Sequence, residues 1–181
     1  GGLGEETMIL ERGVKAVYTS HIPLNLVESL NRLPGVKARA ITLTPCIVNT
    51  QPLVVRGIRD YDDYEHRIVQ GLLPIQSSSW IAFGVEAFRK LDLKLGGIIV
   101  IAAPLRPSIF TLELRAVYSI GDNRDFEAVV PLEIGAAIAG LSEGFVSAAQ
   151  VSGIHKTEIE RLLQDLYTVR IVHELRDGQL V

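Results

Sequence analysis

The 181-residue sequence has little cysteine, no long apolar run and no concentration of positive charge. Its single cysteine, Cys46, has no disulfide partner and no second thiol for a metal cage, so its apolar setting predicts a core residue. The net charge is -3, with 18 basic and 21 acidic residues spread along the chain. That balance excludes the basic surface that nucleic acid or anionic lipid requires. The longest apolar run, Gly96 to Ala103, is far shorter than the ~20 residues that cross a bilayer.

The sequence also lacks the marks of a natural start. It has neither an initiator methionine nor a signal peptide, and Gly1 to Gly4 is typical of a linker or an expression remnant. The expectation is therefore that residues 1–12 are a linker and that the chain was cut from a longer protein.

What the chain does have is enough apolar material for a folded core, at 48% of its residues. Apolar spacing and turn residues predict strands at 14–19, 36–48, 53–58, 80–83, 98–103, 110–118, 128–130, 145–151 and 169–175. They predict helices at 25–32, 60–70, 85–90, 132–139 and 155–166. The order indicates an α+β fold of mixed sheets, with a strand-helix-strand unit at each end around a strand-rich middle.

Two of these strands carry more specific expectations. The uninterrupted apolar run Ile98 to Ile101 is typical of a strand buried on both faces. The strand Phe110 to Tyr118 alternates, with Leu112 and Leu114 on the same face as its two ends.

The acidic stretch Asp60 to His66 is the best candidate for a metal site, since Asp62 and His66 stand four apart on one face of a predicted helix. Acidic residues also gather at helix N-termini because the helix dipole favours them there, and this interpretation needs no metal. We therefore predict no metal and no cofactor.

No residue pattern points to catalysis. The serines at 77–79 do not lie in a Gly-x-Ser-x-Gly turn, and His21, His66, His155 and His173 are scattered without a recognisable catalytic setting. The sequence has no phosphate loop, dinucleotide fingerprint or His-Glu-x-x-His helix. Gly121 to Arg124 resembles part of a box of type I signal peptidases, but the rest of that box is absent, and the residues are typical of a polar turn. The chain is predicted not to be an enzyme.

A set of small signatures occurs in a specific order between residues 26 and 151. They are Leu33-Pro34-Gly35-Val36, Val54 to Ile58, Gly71-Leu72-Leu73-Pro74, Trp80 to Phe88, Leu91 to Gly96, Val129 to Leu132, and Ala136 to Leu141. This order resembles the extracytoplasmic core domain of MacB-like permeases, the FtsX-superfamily or type VII ABC transporters. Two departures stand out: Gly97 replaces an acidic residue, and the compact segment predicts that the larger lobe of the prototype is trimmed.

The resemblance implies one extracytoplasmic α+β domain over residues 13–175, or two small lobes, with residues 176–181 leading to a membrane helix. It implies a cell-membrane protein whose outer domain couples ATP-driven helix motion to an external substrate or protein. The partners it implies are a separate ATPase subunit, which would carry any ATPase activity, and a second permease copy.

Two further interpretations stay open: a free-standing ligand-binding or regulatory module, and an enzyme whose site is built from unmarked residues. In the permease interpretation, partner contacts are expected from three loops, because loops carry variable recognition. The loop residues singled out are Gly71, Pro74, Pro104, Arg106, Pro107, Asp122 and Arg124.

Overall fold

The computed structural model describes residues 6–103 and 107–172. The strands are β1 (Glu6–Glu11), β2 (Ile22–Pro23), β3 (Lys37–Val48), β4 (Gln51–Ile58), β5 (Ile68–Gly71), β6 (Trp80–Gly84), β7 (Ile98–Ala103), β8 (Ser108–Tyr118), β9 (Ala128–Pro131), β10 (Phe145–Val146), β11 (Ala148–Ser152) and β12 (Tyr167–Ile171). The helices are α1 (Leu24–Asn31), α2 (Asp62–Glu65), α3 (Val85–Lys90), α4 (Leu132–Ala139) and α5 (Lys156–Leu163). The α+β class with a mixed sheet is confirmed.

The chain divides into two compact units. Unit 1 combines the two ends of the chain, Gly1–Leu43 and Leu141–Val181, and unit 2 is the continuous segment Thr44–Gly140. Strand β3 begins in unit 1 and continues into unit 2.

Unit 1 contains an antiparallel sheet in which the first and last described strands are neighbours. Its strand order is β12-β1-β11-β3, with a separate pair formed by β2 and β10. In β1, Met8, Ile9 and Leu10 are all fully buried, so the strand is covered on both faces. The helices α1 and α5 bury one apolar side each, through Val27 and Leu30 and through Ile159 and Leu163.

Two sequence-based predictions fail in this unit. Residues 6–11, assigned to a linker, form β1, because a continuous apolar run flanked by Glu6 and Glu11 suits a strand buried on both faces. Residues 14–19, predicted as a strand, instead end in a 3-10 turn, Val17–Thr19, closed by the Ser20 N–H on the Val17 carbonyl oxygen at 3.0 Å. The first described strand, β1, pairs with the last one, β12.

Unit 2 contains a closed ring of six strands, in the order β3-β4-β9-β6-β8-β7 and back to β3. The closing contact is the pairing of Ile47 in β3 with Ala102 in β7. Closure turns one face of every strand inward, and the inward apolar side chains form the core. Strand β5 pairs with the end of β8 outside this ring.

Barrel closure explains why β7 is not buried on both faces. Ile99 and Ile101 point into the core, whereas Ile98 and Val100 are 66% and 51% exposed on the outside. A barrel wall has only one dry side, so the expected second covering layer is absent from this strand.

The predicted alternation of β8 holds only for its first part. Leu112 and Leu114 face the core, but Val117 follows them inward in place of Ala116. The cause is a β-bulge, because the pairing with β6 shifts between Ile81 and Ala82. The Tyr118 side chain therefore points away from the core face, and its hydroxyl lies among buried polar groups on the other side of the sheet.

The predicted helix at 60–70 is only one turn long. Helix α2 ends at Glu65, and residues 68–71 form β5 against β8. The Arg67 carbonyl oxygen accepts the Ser119 N–H at 3.0 Å, so the chain exchanges further helical bonds for pairing with β8. The β-branched Ile68 and Val69 suit a strand better than a helix.

Candidate functional site

The polar turn after β8 is held by a dense set of hydrogen bonds within unit 2. The Asp122 carboxylate accepts the Arg124 N–H at 2.9 Å and also binds the Arg124 guanidinium, with the shortest contact at 2.7 Å. The buried Asp125 carboxylate accepts the N–H groups of Ile120 and Gly121 at 2.7 and 2.9 Å. This arrangement is typical of a turn fixed by its own aspartates, so the turn presents one defined shape.

Below the turn lies a buried ion pair that the sequence does not reveal. The Arg56 guanidinium donates to both carboxylate oxygens of Glu127, at 2.8 and 3.1 Å, and both side chains are buried. Burial opposes the charge of Arg56, but the negative charge of Glu127 outweighs it and raises the pKa of Arg56. Arg56 therefore stays charged inside the unit, and Glu127 is its counter-ion.

Two tyrosines connect this pair to the turn. The Tyr118 hydroxyl reaches the carbonyl oxygens of Arg124 and Glu127, at 2.9 and 3.2 Å. The Tyr64 ring packs edge-on against Tyr118, with ring centres 5.0 Å apart, and the Arg124 guanidinium lies 5.8 Å from the Tyr64 ring centre. Burial raises the pKa of Tyr118 well above its ordinary value, so its hydroxyl keeps the proton that it donates.

Gly84, the residue before α3, lets the backbone of the polar turn approach closely. A Cβ atom at Gly84 would overlap the backbone of Asp125, so no larger residue fits without moving the turn. The Gly84 N–H also donates to the Glu127 carbonyl oxygen at 2.9 Å. The position of the polar turn is therefore fixed relative to the start of α3.

The loop that contains Gly71 and Pro74 is anchored at its far end by Trp80. The buried Trp80 indole N–H donates to the Ser77 carbonyl oxygen at 3.0 Å, and the Pro74 carbonyl oxygen accepts the Ser77 N–H at 2.8 Å. Gly71 has a positive φ of 74°, and a Cβ there would overlap the Arg115 carbonyl oxygen, so its requirement is structural.

The three predicted loops do not form one site. Pro107 precedes β8 and is exposed, whereas Asp122 and Arg124 follow the other end of that strand. Eleven strand residues rise roughly 33 Å, so these loops lie at opposite ends of β8. Pro104 and Arg106 fall outside the described residues. Residues at the start of α2 contact two of the loops: Tyr61, just before the helix, packs on Trp80, and Asp63 contacts Arg124 at 3.4 Å.

Of the acidic stretch and the histidines, Asp60 and His21 have side-chain partners in the structure. The Asp60 carboxylate accepts the Asp62 N–H at 3.0 Å. His21 lies 3.3 Å from Glu11, while His66 and His155 are exposed beside helix ends. His173 lies outside the described residues. Within residues 6–103 and 107–172, no three His, Cys, Asp or Glu side chains are grouped to hold a metal ion.

Sequence reasoning missed the most exposed apolar residues of unit 2, among them Leu72, Ile98, Ile109 and Phe126. The exposure of Ile98 and Val100 follows from the closure of the barrel, which local sequence periodicity does not show. Phe126, 61% exposed, follows the polar turn and is presented by it.

What this chain shares with known proteins is its whole fold and not a chemical site. No family model and no characterised protein sequence matches the chain. A similar fold is found in solved structures of a periplasmic region, an extracellular domain and a permease domain, two of them from ABC-type transporters. The expected resemblance in fold is thereby confirmed. Among the described residues, no helix has the length and apolar character to cross a membrane.

Three solved structures show this similarity. The periplasmic region of MacB from Actinobacillus actinomycetemcomitans has a TM-score of 0.61 and 14% identity, over 99% of this chain and 95% of that chain. The extracellular domain of the noncanonical ABC-type transporter YknZ from Gram-positive bacteria gives 0.59 and 15%, over 90% and 97%. A domain of a protein described as a permease from Porphyromonas gingivalis gives 0.52 and 10%, over 92% and 86%.

The coverage corrects one expectation from the sequence. Because 95% of the MacB periplasmic chain is matched, the prediction that its larger lobe is trimmed here is wrong. The other departure, Gly97, lies in the turn that precedes β7. Its N–H donates to the Lys94 carbonyl oxygen at 3.1 Å, and its carbonyl oxygen accepts the Leu114 N–H at 2.9 Å.

Proposed function

We propose that this chain is the outer domain of an ABC-transporter permease, which passes ATP-driven movement of membrane helices to an external substrate or protein. The ATPase activity belongs to a separate subunit, and two permease copies work together in the transporter. The domain itself acts without catalysis, on the extracytoplasmic side of the cell membrane.

The observation that supports this proposal most directly is the pairing of β1 with β12. Thr7 lies opposite Ile171, so the chain enters and leaves unit 1 at neighbouring positions, roughly 5 Å apart as in any antiparallel pair. A domain inserted between two membrane helices needs this arrangement, because both of its ends must return to the same membrane face.

The second supporting feature is the fixed shape of the polar turn in unit 2. A domain that transmits movement needs contact points that do not yield when loaded. The Tyr118 hydroxyl links the turn, at the Arg124 carbonyl oxygen, to the backbone of Glu127 in the buried pair, and the linked turn supplies such a point.

The membrane side is tested by thiol accessibility in the full-length natural protein, in cells. Gln76 is exposed in the loop after β5, so we choose Gln76→Cys, with any cysteine outside this chain replaced. Cys46 is buried and burial raises its pKa to about 12, so the parent chain should give no background. A membrane-impermeant maleimide should label Gln76→Cys in intact cells.

Labelling that appears only after the cells are lysed would contradict an extracytoplasmic position. Recovery of the full-length protein in the soluble fraction would instead favour a free-standing binding module. Ala82→Cys, at a fully buried position, is the matched control and should stay unlabelled in both preparations.

A further inference from the structure

Strand β12 forms an open edge of the unit 1 sheet. It pairs with β1 on one side, and no described strand pairs with its other side. Its residues, Tyr167–Ile171, run opposite Glu11 to Thr7 without a register shift. A regular strand edge of this kind presents backbone donors and acceptors that another strand can bind.

The direction of the free backbone groups follows from the opposite edge of the same sheet. There the Asn31 side-chain amide donates to the Ala38 carbonyl oxygen and accepts the Ala38 N–H, both at 2.7 Å. Both backbone groups of Ala38 therefore point away from β11. Opposite residues of an antiparallel pair exchange both backbone hydrogen bonds or neither, so Ala38 and Val151, which lie opposite each other, exchange none.

The same alternation can be followed across the sheet to β12. Val151 turns its N–H and carbonyl groups toward β1 and exchanges hydrogen bonds with Thr7. Thr7 therefore exchanges none with its other neighbour, Ile171. The backbone groups of Ile171 point outward, and so do those of every second residue before it, Val169 and Tyr167.

These outward groups are complementary to themselves about Val169. When a second copy of β12 lies antiparallel with Val169 opposite Val169, Tyr167 lies opposite Ile171 at both ends. Each of these three pairs can then exchange two backbone hydrogen bonds. An antiparallel alignment shifted in either direction pairs fewer of the outward residues.

The side chains fit the same alignment. Tyr167, Val169 and Ile171 share one face of the strand, where an aromatic ring meets a β-branched side chain at each end of the contact. Thr168 and Arg170 share the other face, and each Arg170 lies opposite Thr168 of the second copy instead of its own equivalent. Like charges therefore do not face each other across this contact.

The other described strand edges are protected from such pairing. The β3 edge is occupied at Ala38 by the Asn31 side chain. The β5 edge in unit 2 is four residues long and has a β-bulge between Ile68 and Gln70, and both features hinder the addition of a strand. The regular partner for β12 is therefore β12 of a second copy, and the assembly closes at two copies.

From the free backbone groups, the side-chain pairing and the protected edges elsewhere, we infer that β12 is a self-association strand that pairs antiparallel with β12 of a second copy of this chain. The inference depends on this edge alone, whether or not the chain belongs to a permease. Its test therefore uses the 181-residue chain in solution, without membrane or ATPase.

The first test combines sedimentation velocity with hydrogen exchange measured by NMR. From micromolar to millimolar protein, the chain should form a dimer whose mass does not rise beyond two copies. The outward Val169 amide should become at least about ten-fold more protected from exchange once the dimer forms. Val169→Pro removes this N–H at an outward position, where an edge strand accepts proline, and should abolish the dimer.

A matched pair of charge variants tests the register and leaves the backbone intact. Thr168→Glu and Thr168→Lys both lose the hydrogen bond that the Thr168 hydroxyl accepts from the Gly13 N–H at 2.9 Å. They differ in the charge that faces Arg170 of the second copy. Thr168→Glu should strengthen association at least about three-fold, and Thr168→Lys should weaken it at least about ten-fold.

Circular dichroism checks that each variant is folded, and the two Thr168 variants decide the result if Val169→Pro does not fold. A chain that stays monomeric up to millimolar concentration overturns the inference. Equal association constants for Thr168→Glu and Thr168→Lys, or a dimer in which the Val169 amide gains no protection, overturn it as well. Mass that grows beyond two copies contradicts the closed contact.

Discussion

The buried pair Arg56–Glu127 offers the sharpest test of how unit 2 is stabilised. Glu127→Gln keeps the size of the side chain but removes the charge that balances Arg56, which is buried to 4% exposure. An uncompensated buried charge costs about 3–5 kcal/mol of unfolding free energy. The loss should be confined to unit 2, since both residues lie in it.

Two matched variants separate charge balance from packing. Arg56→Met/Glu127→Leu removes both charges at similar volume and should cost less than about 1 kcal/mol, because neither group is then left unpaired. Glu133→Gln breaks the comparable pair Arg59–Glu133, whose side chains are 52% and 66% exposed, and should cost under about 1 kcal/mol.

The assay is urea unfolding followed by the fluorescence of Trp80, the single tryptophan, which is buried in unit 2. That signal reports the unit that contains the pair even if the two units unfold in separate steps. If Glu127→Gln loses less than about 1 kcal/mol, or if the double variant loses as much as the single one, the pair does not carry the role that its geometry assigns.

Four further outcomes are expected. Ile99→Ala removes a core side chain and should cost about 2–5 kcal/mol in urea unfolding, whereas Val100→Ala on the outer face should change it by less than about 0.5 kcal/mol. Gly84→Ala should cost at least about 1–3 kcal/mol by the same measurement, because its Cβ overlaps backbone; an unchanged midpoint would contradict the close approach. Cys46 should resist a thiol reagent at pH 8 and react in denaturant, since burial raises its pKa to about 12; rapid native labelling would show the barrel core to be open. Replacing residues 104–107 with a two-residue Asn-Gly turn keeps the pairing of Ala103 with Ser108 and should preserve the thermal midpoint of the isolated chain; under the proposed function it should abolish transport by the full complex, and unchanged transport would exclude this loop as a contact.

Local sequence patterns predicted the elements that depend on local chemistry. Helix α4 was placed at 132–139 with its bounds as observed, because its apolar residues follow Pro131 and end at Gly140, which takes a positive φ of 72°. Strand β3 was placed within one residue, because a long apolar alternation ended by Asn49 and Thr50 admits few other structures.

The failures came from pairing over long sequence distances. Strand β1 pairs with β11 and β12, more than 130 residues away, and its apolar run is too short to decide by itself that a strand forms there. Glu127 finds Arg56 across 71 residues for the same reason. The outer face of β7 was misassigned because Ile98 and Val100 are as apolar as Ile99, and only ring closure decides which of them is dry.

The pairing of β1 with β12 has a mechanical consequence. The start of β1 and the end of β12 lie at the same end of the strand pair, where Thr7 is opposite Ile171. A force that draws these ends apart loads their hydrogen bonds one after another, as in opening a zipper, and meets little resistance. A displacement that moves both ends together loads none of those bonds and carries unit 1 as a whole. Unit 1 is therefore stiff toward movement common to the start of β1 and the end of β12, and weak toward their separation.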